Sequence, residues 1–304
     1  LITLPMKKAV VGSDDLLAKK MPELWGYFYE KTNTPFIQRR RFKAIEKAVK
    51  RINSSKLYQF IDEWKPDYIL STHFLPCELL QSRKQEDIHC PIGVVITDYG
   101  IHELWMVEGV NRYFVATDNM KEALIQRGVE PSRITVSGIP VDPIFYEGKN
   151  TEELKKRIGV APNMPVILVL SGGHGMAKSD ETVKILFRTE TPVTIIAVAG
   201  NNPSLLKKLS GLTVPSHITF MPIGWTDAID EYMRIADVII TKAGGITVSE
   251  CMAMGRPMII VSPIPGQEEQ NARYVVEQGA GVIATSVDDL LLYVTKYLRN
   301  IVTL

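Results

Sequence analysis

The sequence predicts an α/β protein built from two Rossmann-like domains. Short apolar runs rich in β-branched residues alternate with helical stretches, which is the pattern of parallel sheets with crossover helices. The alternation occurs twice, and a turn-rich stretch with two prolines, residues 138–143, separates the two series. A length of 304 residues is ample for two domains, which we place at residues 1–143 and 144–304.

The first half contains four predicted strands and two predicted helices. Residues 1–5 also begin like a strand, but residues 7–15 supply neither a glycine-rich turn nor a first helix. Domains of this kind normally place both directly after the first strand, so we expect that part of the domain is missing from the sequence. The strands are residues 68–71, 93–97, 113–116 and 135–138, and the helices are residues 41–64 and 119–128.

The second half repeats the rhythm with five strands and five helices. Its strands are continuously apolar, which predicts a parallel sheet covered on both faces. The strands are residues 166–170, 193–199, 218–221, 238–241 and 258–261. The helices are residues 182–188, 203–209, 227–235, 248–254 and 271–278.

Composition excludes several classes of protein. With 45% hydrophobic and 23% charged residues, the chain is an ordinary globular protein rather than a disordered one. The formal charge of +1 gives no reason to expect a nucleic-acid partner. Three scattered cysteines form no disulfide framework and favour a reducing compartment. No cluster has metal-ligand spacing, so we predict no metal site.

Residues 241–250, with the sequence TKAGGITVSE, carry the clearest functional signal. They follow an apolar run and open a helix that we predict to start at Thr247, with a hydroxyl at the N-cap. Gly244 and Gly245 allow a tight turn, and the free N–H groups beyond them attract phosphate oxygens. Glu250 shares a helix face with Thr247, where its carboxylate can accept hydrogen bonds from two ribose hydroxyls. The segment therefore predicts a nucleotide diphosphate site.

A basic, aromatic stretch lies at residues 19–56, with eleven Lys and Arg against three Glu and with six aromatic residues among them. Cations interleaved with aromatic rings suit an anionic membrane surface. We expect Trp25, Arg39, Arg40 and Arg41 to contact that surface. The alternative is a solvated basic helix whose aromatic residues belong to the core.

Several motifs, in this order along the chain, resemble glycosyltransferase family 28. Within it the similarity points to the diacylglycerol glycosyltransferases of the monogalactosyldiacylglycerol synthase type. The resemblance implies the GT-B fold, in which two Rossmann-like domains face a cleft and the second domain binds the UDP-sugar. The motifs are ITDYGIH at 96–102, VATD at 115–118, GIPV at 138–141, SGGHG at 171–175, GNN at 200–202, IGW at 223–225, KAGG at 242–245 and PGQEEQN at 265–271.

The resemblance and the local chemistry together define the predicted donor site. The glycine-rich turn at residues 172–175 can aim backbone amides at the diphosphate, although His174 could equally point to solvent. The resemblance implies that uracil binds near Trp225, and the alternative role of Trp225 is packing at the domain edge. The resemblance also implies that Gln267 and Glu268 bind the hexose, and the alternative is that these residues belong to the N-cap region of a helix. The predicted donor-binding residues are Gly172, Gly173, His174, Gly175, Asn201, Ile223, Gly224, Trp225, Gly244, Gly245, Ile246, Thr247, Glu250, Gln267 and Glu268.

We expect the catalytic base at the end of the strand at residues 93–97. Asp98 and His102 follow this strand, and a helical turn between them would align both on one face. A substrate-positioning role is an alternative for both, and His73 is a third candidate. In the family, a histidine of the missing glycine-rich loop is the usual catalytic candidate.

The resulting hypothesis is an inverting glycosyltransferase. It would transfer glucose or galactose from a UDP-sugar to diacylglycerol or a glycosyl-diacylglycerol, as a peripheral protein on the cytoplasmic face of the cell membrane. UDP-sugar serves as donor substrate, and no cofactor is expected. The alternatives are a UDP-sugar 2-epimerase, a non-catalytic UDP-sugar sensor and, as a nearer cousin, a transferase of the peptidoglycan lipid precursor.

Overall fold

The computed structural model describes residues 55–81, 90–172 and 179–302 and divides the chain into two compact units. The first unit contains the residues up to Pro140 together with Ile264–Gln270, and the second contains Val141–Pro263 and the residues from Asn271 onward. The division thus falls at Pro140 rather than at residue 143, within the predicted turn-rich stretch. The segment Ile264–Gln270 departs from the predicted domain range, because its contacts group it with the first unit.

The first unit is built on a sheet of four parallel strands in the order β1-β2-β3-β4. Each of the four strands predicted in this half is confirmed, as is the helix at residues 119–128, whereas the second helix of the unit was not predicted. In chain order the elements are α1 (Ser55–Trp64), β1 (Ile69–Ser71), α2 (Phe74–Gln81), β2 (Ile92–Val95), β3 (Arg112–Val115), α3 (Asp118–Gln126) and β4 (Ile134–Val136). The predicted strand at residues 1–5 and the predicted helical residues 41–54 lie outside the described residues.

The second unit is a six-stranded parallel sheet in the order β10-β9-β8-β5-β6-β7. All five predicted strands and all five predicted helices of this half are confirmed, while α4, β10 and α10 were not predicted. The elements are α4 (Thr151–Ile158), β5 (Val166–Leu170), α5 (Ser179–Leu186), β6 (Val193–Val198), α6 (Pro203–Ser210), β7 (Ile218–Ile223), α7 (Ile229–Ile235), β8 (Val238–Thr241), α8 (Gly245–Ala253), β9 (Met258–Val261), α9 (Gln267–Glu277), β10 (Gly281–Ala284) and α10 (Val287–Val302).

The core of the second unit explains why its strands read as unbroken apolar runs. Every residue of β5, β6 and β8 is buried, as expected for a sheet that is covered on both faces. Together these two parallel sheets confirm the predicted α/β fold class. In the part of the chain that the structure describes, no helix has both the length and the apolar character needed to cross a membrane.

The order of the strands determines where a ligand can enter the second unit. Strand β5 pairs with β6 on one side and with β8 on the other. The connections that follow β5 and β8 therefore leave these two neighbouring strands in opposite directions. Such a topological switch point opens a crevice at the carboxyl ends of the strands, where ligands of open α/β sheets bind. The turns that follow β5 and β8 are the glycine-containing segments singled out in the sequence.

Candidate functional site

Helix α8 begins earlier than the sequence predicted. Gly244 is its N-cap, with an extended backbone (φ −65°, ψ 131°) and no side-chain cap. Val248 N donates to Gly244 O at 3.0 Å, so the hydroxyl of Thr247 is not the cap and that prediction is wrong. The reason is that the Gly244 backbone itself makes the turn into the helix. The N–H groups of Gly245, Ile246 and Thr247 therefore have no intrahelical acceptor and stand at the positive end of the helix dipole.

A cavity of about 140 Å³ opens beside this helix start, at the carboxyl ends of β5, β6 and β7. Because α8 follows β8 and also lines the cavity, the cavity reaches the switch point between β5 and β8, with strand ends on one side and α7 and α8 on the other. Its lining residues are Leu170, Ser171, Gly172, Val198, Gly200, Trp225, Thr226, Ile229, Met233, Thr247 and Glu250.

Among the described residues that line this cavity, Glu250 is the only acidic one. Burial raises its pKa from 4.5 to about 7, because a carboxylate loses hydration in this half-buried position. A ligand that donates hydrogen bonds to the carboxylate would replace the lost water and draw the pKa back down. The cavity thus presents a carboxylate one helical turn from the amide of Thr247, a combination that suits a ribose next to a diphosphate.

Trp225 lies on the rim of the same cavity. Its side chain is 60% exposed, and its indole Nε1 donates to Asp227 Oδ1 at 3.2 Å. This degree of exposure does not suit a residue whose role is packing. Because the hydrogen bond restrains the ring, its flat apolar face can stack on a planar base.

The turn after β5 is described only in part. Gly172 has φ +74°, a conformation in which a side chain would be strained. A Cβ atom at Gly172 would come within 4.0 Å of Lys242 Cε, so the turns after β5 and β8 approach each other closely. The predicted donor-binding residues Gly173, His174 and Gly175 lie outside the described residues. Ser171 precedes these residues in the chain and Ser179 follows them, and the two hydroxyl oxygens are hydrogen-bonded to each other at 2.6 Å.

The turns after β6 and β7 hold three more of the predicted residues. Asn201 is exposed, and it is Gly200 rather than Asn201 that lines the cavity. Ile223 ends β7 and accepts a hydrogen bond from Ala199 N at 2.8 Å, which aligns the ends of β6 and β7. Gly224 follows Ile223 and leads directly into Trp225.

The start of α9 shows the capping interactions that the sequence left open. Glu268 is 8% exposed, and its Oε2 accepts from Ile264 N at 2.7 Å. Glu269 Oε2 accepts from Gly266 N at 3.1 Å, which is one of the two hydrogen bonds of a capping box. Both carboxylates therefore order the turn into the helix, and the contact between Glu268 and a hexose stays a prediction. The side chain of Gln267 lies outside the described residues.

The base candidates of the first unit cluster near the carboxyl ends of β1 and β2. Asp98 is 8% exposed and His102 is 3% exposed. A bend rather than a helical turn separates them, so the condition for aligning both on one helical face is not met. His102 Nδ1 accepts from Leu104 N at 3.1 Å and caps a 3₁₀ helix at Glu103–Trp105.

This capping bond has a chemical consequence for His102. A neutral imidazole whose Nδ1 accepts a hydrogen bond carries its proton on Nε2, so that nitrogen donates rather than abstracts a proton. His73 is in the same situation, because its Nδ1 accepts from Leu75 N at 3.1 Å, and burial lowers its pKa. The role of Asp98 as catalytic base stays a prediction.

The residues predicted to contact the membrane surface, namely Trp25, Arg39, Arg40 and Arg41, lie outside the described residues. Within residues 55–81, 90–172 and 179–302, no group of three or more His, Cys, Asp or Glu side chains is arranged to hold a metal ion. The prediction that the protein needs no metal stays a prediction.

Sequence reasoning missed part of the cavity. Thr226, Ile229 and Met233 line it, the last two from positions i and i+4 of α7. Thr226 Oγ1 accepts from Ala228 N at 3.1 Å and so shapes the turn between β7 and α7. The only sequence signal was their position directly after the IGW motif.

Comparison with known proteins connects both halves of the chain to one family. Residues 3–141 match the family described as monogalactosyldiacylglycerol (MGDG) synthase, and residues 166–301 match the glycosyltransferase family 28 C-terminal domain. A processive diacylglycerol beta-glucosyltransferase of Bacillus subtilis (strain 168) is 34% identical over 250 residues, which are 82% of this chain and 65% of the relative. The chain thus spans slightly less than two thirds of the curated relatives that it matches.

Solved structures share the fold at low sequence identity. MurG of Acinetobacter baumannii has a TM-score of 0.57 at 16% identity, covering 83% of this chain and 71% of that one. HepE of Anabaena in complex with UDP-glucose has a TM-score of 0.55 at 16% identity, covering 81% and 72%. These likenesses show the fold alone, which is the predicted GT-B fold. The two family matches, and not the shared fold, relate residues 3–141 to the monogalactosyldiacylglycerol synthase family and residues 166–301 to the C-terminal domain of glycosyltransferase family 28.

Proposed function

We propose that this chain belongs to an inverting glycosyltransferase that moves a hexose from a UDP-sugar to diacylglycerol or a glycosyl-diacylglycerol. The observation that carries the proposal is one cavity that joins the amide-rich start of α8, the carboxylate of Glu250 and the exposed ring of Trp225. These three features match the three parts of a nucleoside diphosphate. The N–H groups suit the diphosphate, the carboxylate suits the ribose hydroxyls, and the indole suits the base.

The first chemical task is to stabilise the departing diphosphate. In the proposed reaction, the acceptor oxygen attacks the anomeric carbon while the bond to the diphosphate oxygen breaks, and UDP leaves with both electrons of that bond. The amides of Gly245, Ile246 and Thr247 would stabilise the added negative charge, since they are fixed before the reaction begins.

The second task is to accept the proton of the attacking hydroxyl. Asp98 is our candidate, because His102 and His73 each use Nδ1 as a hydrogen-bond acceptor from the backbone. A general base of this kind contributes roughly 10²–10⁴-fold to the rate of such a step.

The acceptor is proposed from the names of the relatives and from the sequence. Curated relatives at 30–34% identity are diacylglycerol beta-glucosyltransferases, and this acceptor resides in a membrane. The basic, aromatic residues 19–56 would keep the protein at an anionic lipid surface, on the cytoplasmic face and as a peripheral protein. The transferase names do not favour the epimerase or the sensor.

A transfer assay tests the proposal directly. The protein is incubated with vesicles that contain diacylglycerol and, in separate reactions, with radiolabelled UDP-glucose or UDP-galactose, and the lipid products are separated. We expect a labelled glycolipid with at least one donor and none from vesicles without diacylglycerol. Conversion of the donor without any labelled lipid would indicate an epimerase or hydrolase, and binding without conversion would indicate a sensor.

A further inference from the structure

Asn271, in helix α9, has a completely buried side chain directed at the turn before α8. Its Nδ2 donates a hydrogen bond to the backbone carbonyl oxygen of Ala243 at 2.9 Å, across 28 residues of sequence. Leaving a buried carbonyl without a partner is costly, so this bond strongly favours one orientation of the Ala243 carbonyl. The core side of α9 therefore determines the backbone orientation at the candidate diphosphate site.

The orientation of this carbonyl also determines the direction of the next N–H group. The oxygen of Ala243 and the amide hydrogen of Gly244 belong to one peptide unit, and in a trans peptide they point in opposite directions. Because the oxygen points into the buried side at Asn271, the Gly244 N–H points away from it. A Cβ atom at Gly244 would meet no atom within 4 Å, so the space around this residue is open.

Without Asn271, a glycine at position 244 would permit the opposite orientation. Glycine adopts a wider range of backbone angles than other residues, so the peptide between Ala243 and Gly244 could rotate. A rotated peptide would direct a carbonyl dipole rather than an N–H group toward the site. Such a dipole would repel a phosphate oxygen, which makes the orientation important for an anion and unimportant for an uncharged ligand.

We propose that Asn271 is a positioning residue for the diphosphate, because it orients the Ala243–Gly244 peptide so that the Gly244 N–H joins those of Gly245, Ile246 and Thr247. The inference rests on the proposed function, since it deepens the account of the same donor site. Asn271 acts through the backbone, and its contribution grows with the number of phosphates on the ligand.

The test compares ligands that differ only in phosphate content. Uridine, UMP and UDP are titrated calorimetrically into the wild-type protein and into Asn271→Leu and Asn271→Asp. At a pH high enough to ionise the introduced carboxyl group, we expect both variants to lose about tenfold or more of the affinity for UDP and to keep uridine affinity within about twofold. Val275→Ala is the matched control, because Val275 is also completely buried in α9, four residues beyond Asn271, and its Cγ1 lies against Gly281 at the start of β10. It should lower thermal stability without changing the ratio of UDP to uridine affinity.

The aspartate variant adds a readout that a purely structural role would not change. A protonated carboxyl group can donate to Ala243 O, whereas a carboxylate cannot. Relative to wild type at the same pH, the UDP affinity of Asn271→Asp should recover as the pH is lowered, while that of Asn271→Leu should not.

A second pair of variants leaves Asn271 in place. Proline at position 244 removes the N–H and suits the native φ of −65°, whereas alanine keeps the N–H. We expect Gly244→Pro to bind UDP more weakly than Gly244→Ala. Equal UDP affinities in this pair, or equal losses of uridine and UDP in the Asn271 variants, would overturn the inference. Wild-type protein that binds no UDP would overturn the proposed function as well, whereas UDP binding without glycolipid synthesis would count only against the transferase.

Discussion

Thr247 and Glu250 lie one helical turn apart on α8 and line the same cavity. The turn that begins this helix supplies amide hydrogens, and the next turn supplies a half-buried carboxylate whose pKa is raised to about 7. One short helix therefore presents an anion-binding group and a hydroxyl-binding group at a fixed distance. This arrangement leads to the first two predictions.

Replacing the carboxylate should weaken nucleotide binding. Glu250→Ala is expected to reduce UDP affinity by roughly 1–3 kcal/mol, because charge-assisted hydrogen bonds to ribose are lost. Calorimetry with UDP measures the effect, and Glu277→Gln, an exposed site on α9, is the control. Unchanged UDP affinity in Glu250→Ala would remove Glu250 from the donor site.

The raised pKa of Glu250 should also make stability depend on pH. Between pH 4.5 and about 7 the folded protein binds more protons at this site than the unfolded chain, so the free energy of unfolding falls as the pH rises through this window. The whole decrease is at most roughly 3 kcal/mol. Urea unfolding from about pH 5 to pH 8 should show this decrease in wild type and lack it in Glu250→Gln. Parallel pH profiles for the two proteins would show that the carboxyl is not perturbed.

Trp225 should contribute to binding without contributing much to stability. Because its side chain is 60% exposed, Trp225→Ala is expected to leave the melting temperature nearly unchanged. UDP affinity should fall by roughly 1–3 kcal/mol through lost stacking on the base, and Trp225→Phe should retain part of it. Trp64→Ala, at a residue that is 69% exposed in the first unit, is the control for both measurements. A large loss of stability in Trp225→Ala would instead indicate a packing role.

Asp98 should affect turnover more than donor affinity. Asp98→Asn keeps the size of the side chain but removes the base, so we expect kcat to fall by about 10²-fold or more while UDP affinity stays the same. Glu122→Gln, at an exposed position on α3, should alter neither quantity. Equal losses in turnover and in donor affinity would argue against a catalytic base at this position.

The basic stretch should bind lipid through charge. Changing Arg39, Arg40 and Arg41 to Glu is expected to reduce sedimentation with anionic vesicles, and the wild-type binding should weaken as salt is added. Replacement of the same residues by Lys keeps the charge and serves as the control. If the Glu variant sediments like wild type, the membrane role of residues 19–56 is wrong.

The sequence was informative wherever local chemistry decides the structure. The continuous apolar runs of β5, β6 and β8 predicted buried parallel strands, because only a sheet covered on both faces accommodates such runs. The glycine pair at the start of α8 and the spacing of Thr247 and Glu250 predicted a turn and a shared helix face. By contrast, β10 begins at Gly281 directly after Gly279 and Ala280, and a stretch that contains two glycines is typical of a turn rather than of a strand.

Other features depended on contacts between residues distant in sequence. The family resemblance and the pattern of strands followed from the residues alone, as did the choice of Glu250 as a candidate ligand-binding group. Only the folded chain could bring Asn271 to the carbonyl of Ala243, or place Ile229 and Met233 around the same cavity as Gly172. The physical reason is that periodicity and turn chemistry act over a few residues, whereas hydrogen-bond partners and cavity walls are set by which strands are neighbours in the sheet.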